Sequence, residues 1–292
     1  MSYRIALDES IGGAARRIAR EQVEKALTGL NQEDESIEER IHQFRKRCKK
    51  LRALFRLVRP GFDGYREANA TFRDLARLVS EERDARVTAS LVSKLAGEDN
   101  LDAPVVRWFG LKCELAEALA EPLLGRIVTE MRDAAVRLER WSLVDLTIDD
   151  VIEGLQKTLG RAHKELGKVR INGGVGDYHS FRKRSKYHWY HLQLLEEILE
   201  GGGDARRDKF DELGDLIGEA HDRSVLVEQL CELPIYLKRD PIAQKLEAEA
   251  LRTRRELRRE ALARSRELSS ESAEHFADSL RSRWRHLVDS RH

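Results

Sequence analysis

Residues 42–57, HQFRKRCKKLRALFRL, carry seven Lys or Arg and one His in sixteen positions, with no acid among them. The chain as a whole is balanced at 53 basic and 52 acidic residues, for a formal net charge of +1, so this charge is local. On a helix at about 100° per residue, Ile41, Phe44, Cys48, Leu51, Phe55 and Val58 fall on one face. That spacing of three and four marks a helix buried along one stripe. His42, Arg45, Lys49, Arg52 and Arg56 make a second stripe beside it, flanked by Lys46. Like charges three or four apart repel by a few tenths of a kcal/mol per pair. A helix needing only solubility would intersperse Glu, as RRELRREALARSREL at 254–268 partly does.

The pattern returns. IHQFRKRCKKLR at Ile41 reappears as YHSFRKRSKYHW at Tyr178, pairing His42 with His179, Phe44 with Phe181 and Arg45-Lys46-Arg47 with Arg182-Lys183-Arg184, an offset of 179 minus 42, or 137. The same offset pairs Ile11 with Ile148, Ile18 with Leu155 and Arg20 with Lys157 in the preceding helices. An offset of 138 then pairs Leu75 with Leu213, Leu78 with Leu216 and Asp84 with Asp222. Three collinear matches argue for a duplication, and the period is too long for a solenoid unit. The chain therefore reads as one domain, 1–292, made of two helical bundles, 1–141 and 142–292, facing each other across a pseudo-twofold.

The remainder supports an all-α fold. Composition is rich in Leu, Ala, Glu and Arg with only five prolines, which favours helices over strands. Ser10 or Asp8 caps a first helix to about Leu30, and the acidic NQEDESIEER opens a second that runs to Arg59, where PGFDG ends it. Further helices are expected near 63–79, 82–96, 101–119, 122–141, 148–170, 178–199, 205–218, 221–232, 239–268 and 271–289, about a dozen in all. Breaks are expected at Glu121-Pro122, at INGGVGD, at Gly201 to Asp204 and at Leu233-Pro234. INGGVGD is not the G-x-x-x-x-G-K-[ST] of a phosphate loop and follows no strand, so it reads as a linker.

Several function classes drop out. No run of about 18 apolar residues exists, and MSYRIALDESIGGAARR lacks the apolar region of a secretory signal, so a cytoplasmic protein with no membrane partner is expected. Cys48, Cys113 and Cys231 are odd in number and widely spaced; they read as small core residues of a reduced protein, not as a disulfide framework or a zinc site. His42 and His179 lack a second His or carboxylates on their face, and His188 and His191 share a basic helix, so no metal is expected. What remains is two unneutralised positive stripes. If they face one groove, they focus a potential suited to a polyanion. Tyr178, Tyr187, Trp189 and Tyr190 could donate to phosphate, though packing between helices is the commoner use.

At these residues the sequence resembles the CHAD family, the conserved histidine α-helical domain. The resemblance lies in HQFRKRCKKLRALFRLVRP, in the following RDLARLVSEERDARV, in the second-half copies and in the closing HFADSLRSRWRHL. It spans nearly the whole chain. It implies two pseudo-symmetric bundles around a basic central channel that binds inorganic polyphosphate without catalysis or cofactor, often on polyphosphate granules. Carried over, the ligands would be His42, Arg45, Lys46, Lys49 and Arg52 in the first half and His179, Arg182, Lys183 and Lys186 in the second. Arg16, Arg20, Lys157, Arg161 and Lys164 come next, with Arg252, Arg255 and Arg259. The sequence departs from the family where Tyr187, His188 and Trp189 replace the Lys/Arg-Leu-Arg end of the motif, which makes the second half of the channel more aromatic or narrower.

Polyphosphate has no bases to read, so affinity would come from charge-assisted hydrogen bonds and counterion release. Histidines among phosphates would be favoured in their protonated form, tightening binding as pH falls through neutrality. Rival readings are weaker. The Glu-x-Glu-x-Lys signature of the triphosphate-processing CYTH domain, often joined to CHAD domains, is absent, and Asp84 and Asp222 read as caps or arginine partners, not as catalytic acids. No nucleic-acid-binding motif is present, so specific DNA or RNA recognition is not expected. A helical scaffold binding acidic proteins, or phosphates of nucleic acid non-specifically, is the alternative.

Overall fold

The core stripe of residues 41–58 forms as its periodicity requires. In the computed structural model, which describes residues 3–171, 173–199 and 203–290, α1 (Ile11–Leu30) and α2 (Ile37–Leu57) open alike. The Ser10 hydroxyl accepts from the Gly13 amide at 3.1 Å and the Ser36 hydroxyl from the Glu39 amide at 3.2 Å, each satisfying a donor that a helix start leaves open. Glu38 and Glu39 in the first turn of α2 and Arg56 in its last complement the helix dipole at both ends. There follow α3 (Tyr65–Arg77), α4 (Ser80–Ala96), α5 (Pro104–Arg140), α6 (Ile148–Ile171), α7 (Val175–Leu194), α8 (Glu196–Leu199), α9 (Gly203–Glu232), α10 (Ile235–Lys238), α11 (Pro241–Leu268) and α12 (Ala273–Asp289). The fold is all-α, with no strand among the described residues.

Among the described residues twelve α-helices stand where about a dozen were expected, but two expected breaks are missing and two single-turn helices, α8 and α10, are added. Pro122 does not end a helix: α5 runs through it for 37 residues. Proline inside a helix removes a backbone bond and costs on the order of 3 kcal/mol. Burial on both sides offsets this, with Val105, Val106 and Phe109 before it and Ala120, Leu124, Ile127 and Met131 around and after it. The carbonyl of Ala118 that loses its donor lies on an exposed residue, where solvent can satisfy it. The expected break between 218 and 221 is also absent, α9 continuing to Glu232. The break at Gly201 to Asp204 falls partly outside the described residues. Of the three free cysteines only Cys48 is buried; Cys113 is half-buried and Cys231 exposed, so two of them are not core residues.

α2 packs against α1 and α3 and also against α6 and α7; α7 lies on α6 and α9; α9 lies on α11; and α4 touches α5, α9 and α11. The large hydrophobic cluster takes in α1, α2, α6, α7 and the C-terminal part of α5. A smaller cluster joins Val92 of α4, Val105 and Phe109 of α5, Leu226 and Leu230 of α9 and Leu246 of α11. α6 crosses the end of α2 closely: a Cβ at Gly154 would stand 1.7 Å from the Leu57 carbonyl oxygen. Among the described residues no helix is long and apolar enough to cross a membrane.

Burial repeats at the paired positions of α2 and α7. Ile41 and Tyr178, Phe44 and Phe181, Cys48 and Ser185, Leu51 and His188, Leu54 and His191, and Phe55 and Leu192 are all buried. His188 thus occupies a leucine's position, with the rings of Phe210 and Phe276 at 4.7 and 5.9 Å and neither nitrogen hydrogen-bonded among the described residues. The Nε2 of His191 donates to the Ala53 carbonyl of α2 at 3.0 Å. Burial first, and nearby positive charge second, holds His188 well below the usual histidine range. Burial also pulls His191 down to about 3.

Gly154→Ala should lower stability by about 1–3 kcal/mol, as expected when helices must separate. Gly167→Ala, in the same helix with no atom near its would-be Cβ, should be neutral or stabilise by up to about 1 kcal/mol; thermal melts compare the two. The buried histidines set an acid limit. The unfolded chain takes up protons below about pH 6.5 that the folded chain refuses, so stability falls as pH drops from there towards the folded values. Each histidine removes about 2 kcal/mol between about pH 7 and about pH 5. Urea titrations at the two pH values should show a smaller loss for His188→Leu, and an unchanged loss would rule this origin out.

Candidate functional site

The charged stripes of α2 and α7 come together where the two helices touch. Arg45, Lys49, Arg83, Arg182 and Lys186 form one group, with Lys49 close enough to the other four to feel each charge. Arg52, Arg56, Arg77, Lys183 and Arg184 continue it, and Arg184 and Arg56 link it in turn to Arg59 and Arg161. Exposure follows the repeat, with His42 and His179, and Lys46 and Lys183, exposed and Arg45 and Arg182 half-buried. The result is one cationic band built by α2, α7 and their neighbours.

Each half-buried guanidinium has a specific support. Arg45 donates from Nη1 to the Ala76 carbonyl of α3 at 2.7 Å. Arg52 Nε and Arg56 Nη2 donate to the side-chain oxygen of Asn69 at 3.3 and 3.0 Å. Tyr187 of α7 lies beneath both, its ring 4.5 Å from the Arg56 carbon and 5.9 Å from that of Arg52. A buried phenol of α7 thus carries guanidiniums of α2, an attraction worth about 0.5–2 kcal/mol per pair. Arg182 lies along α9 at Gly218, where a Cβ would come within 3.1 Å of its Nη2. Lys186 lies along Gly214, one turn earlier, donates to Asp211 at 2.7 Å and sits 3.9 Å from the Trp189 ring centre.

Two carboxylates meet at one end, and Asp74 stands 3.7 Å from Arg77 elsewhere on the band. Arg83 Nη1 lies 2.9 Å from Asp84 and 3.7 Å from Asp222, so the two aspartates matched by the repeat meet at one arginine. Beyond that end, Lys49, Lys183 and Arg184 have no ion-pair partner among the described residues. Lys49 is solvent-exposed, yet enough protein surrounds it that lost hydration first, and the charges of Arg45, Arg182, Arg83 and Lys186 next, pull its ammonium down to about 7. Burial and neighbouring cations lower Lys183 likewise. His179, whose ring lies 5.1 Å from that of His221, is lowered by burial and then by Lys183 and Arg182. Arg56 Nε and Arg182 Nε are buried without a hydrogen-bond partner among the described residues.

Other expected positions lie apart from the band. Arg16 donates to the carbonyls of Glu139 and Trp141, closing the end of α5. Arg20 pairs with Glu139 and Lys157 with Glu153. Arg252 is held by Glu249 and Glu256, while Lys164, Arg255 and Arg259 are exposed. The arginine of α11 that meets α7 is instead Arg258, 4.2 Å from the Tyr178 ring centre. Arg161 does join the band. Sequence reasoning missed Asn69, Arg83, His221 and the Gly214/Gly218 pair; only the last left a local signal, a G-x-x-x-G spacing within a helix. A cleft of about 410 Å³ between α1 and α2, lined by Lys25, Glu35, Glu39, Arg40 and Arg47 among others, shares no residue with the band. Among the described residues no three His, Cys, Asp or Glu gather as metal ligands would.

The CHAD domain profile matches residues 15–231, a segment that contains both repeat helices and the whole band. The chain belongs to the CHAD domain family. Its fold is similar to the crystal structure of the CHAD domain from the plant Ricinus communis, with a TM-score of 0.59 at 15% identity over 98% of this chain and 95% of that one. No curated protein sequence matches the chain. In this CHAD domain the sequence match of His42 to His179 is not a contact, and the ring beside His179 is that of His221.

The supports can be tested without a ligand. Tyr187→Leu, which keeps the core filled but removes the phenol beneath Arg52 and Arg56, should cost about 1–3 kcal/mol in chemical denaturation. The loss should shrink in an Arg56→Met background, as a double-mutant cycle reads directly.

Proposed function

We propose that this CHAD domain binds inorganic polyphosphate, without catalysis, along the band where α2 meets α7. The observation that carries the reading is the run of cations with no ion-pair partner among the described residues, Lys49, Lys183 and Arg184, set between half-buried Arg45, Arg52 and Arg182. A polyanion with one charge or more per unit relieves the repulsion among these groups and supplies acceptors to donors such as Arg56 Nε and Arg182 Nε. Arginine offers planar two-point donors and lysine a mobile point charge. The carboxylates beside Arg83 mark one end of the track and would turn a phosphate chain away from α4 and α9. Placement on polyphosphate granules follows from such binding, to which the matched helices α2 and α7 each contribute.

Arg45 and Arg182 also hold their surroundings, so the informative substitutions are at exposed lysines. Lys49→Glu and Lys183→Glu should each weaken binding of a fluorescent long-chain polyphosphate by tenfold or more, about 1.4 kcal/mol. Arg252→Glu, outside the band, should change it little. Affinity should fall steeply with salt and resist duplex DNA; equal displacement by DNA would reduce the band to a generic basic surface.

Titration provides a second test. Burial and the facing cations Arg45, Arg83, Arg182 and Lys186 depress the Lys49 ammonium, with Asp84, Asp222 and Asp211 also near the group. A bound polyanion raises it again, so binding takes up protons above about pH 7 and weakens as pH rises. Lys49→Arg, which stays charged, should flatten the affinity profile between about pH 7 and about pH 9. If the slope is the same in wild type and variant, Lys49 is not the responsible group.

A further inference from the structure

We propose that the outer face of α5 takes a second copy of this chain, the two α5 helices lying antiparallel across a twofold axis. Trp108, Leu111, Leu115 and Leu119 are 38%, 64%, 61% and 62% exposed, although residues this apolar seldom line up in the open. Spacings of three and four put them on one stripe, continued by exposed Pro122. No residue between Phe109 and Ala120 is buried, so this part of α5 bridges the two hydrophobic clusters and turns an apolar seam outward. Scattered exposed leucines need no explanation, whereas a continuous seam at coiled-coil spacing does.

Shape and charge identify the occupant. Beside the seam runs a cleft of about 390 Å³, lined by Leu78, Val79, Leu115, Leu119 and Leu123 among others. A ridge next to a cleft is self-complementary, as a twofold contact requires. Arg107, Glu114 and Glu121 follow one another at intervals of seven on the flank away from that cleft. In an antiparallel pair centred on Leu115 this flank meets its own copy, so Leu111 faces Leu119 and Arg107 comes beside Glu121 at both ends. Glu114 then lies near its counterpart, the one like-charge approach on this flank. A parallel pair would instead set this flank against the cleft side of its copy, leaving Arg107 and Glu121 apart. The seam shares no residue with the cationic band, so a polyanion is not its occupant.

From Trp108 to Pro122 the seam is about 21 Å long at 1.5 Å per residue. That is less contact than the roughly 800 Å² a side of a standard interface, so a weak, concentration-dependent dimer is expected. Sedimentation equilibrium of the full chain should show a mass rising from 33.6 kDa towards twice that value with concentration. Leu115→Glu, at an exposed position, should hold the mass at the monomer value with unchanged helical circular dichroism. Arg107→Glu should weaken association about tenfold, and Arg107→Glu combined with Glu121→Arg should restore it. A monomer at every concentration up to about 1 mM, a dimer that survives Leu115→Glu, or failure of the charge swap to restore association would each overturn the proposal.

Discussion

Repulsion between the positive faces of α2 and α7 is the constraint to which the surrounding structure responds. Two unit charges about 8 Å apart near a protein surface repel by about 2 kcal/mol before salt screens them, and Lys49 alone feels four like charges. Left alone, the two helices would separate. They are held by what lies behind the charge. Paired core positions such as Phe44 and Phe181 are buried, the Gly154 crossing brings α6 onto α2, and Tyr187 reaches under the guanidiniums of the opposite repeat. Apolar burial contributes on the order of 25 cal/mol per Å², so a modest helix contact is enough to hold repelling groups together.

The two matched helices are unequal, and the inequality is informative. Where α2 places Leu51, Leu54 and Arg52, α7 places His188, His191 and Trp189. The two histidines stay in the core and remain neutral at some cost to stability in acid, and His191 donates to the Ala53 carbonyl. Trp189 takes the position of a cation and instead carries one, Lys186, on its ring face. The rings of α7 act as supports for cations and as core, and Tyr178, Tyr187 and Tyr190 are buried.

Which features could be read in the sequence depended on how far apart in the chain the interacting groups lie. The buried stripe of α2, the matching stripe of α7 and the cations beside them are periodic within one helix, so spacing alone revealed them. Asn69, Arg83 and His221 matter because of neighbours from other helices, and nothing local marks them. Arg16 and Arg20 sat at the right phase of α1, yet the end of α5 captures both. Arg258, not Arg255 or Arg259, meets α7, a difference of one step in helical phase that the pattern of α11 alone does not settle. Pro122 misled for a related reason. A proline is a reliable stop only when nothing packs on both sides of it, and here buried residues clamp the helix above and below.

That uninterrupted helix has a consequence for how the molecule comes apart. α5 is the beam shared by two hydrophobic clusters of very different size, and its weakest backbone segment, around Pro122, lies at the near edge of the larger one. The smaller cluster rests on few side chains from α4, α9 and α11, and little apolar area means a low local free energy of opening. Fraying can begin there and stop at the proline, leaving the larger cluster and the cationic front intact. Cooperativity is therefore graded along a single rod, with amide protons of its first turns exchanging well before those of its last.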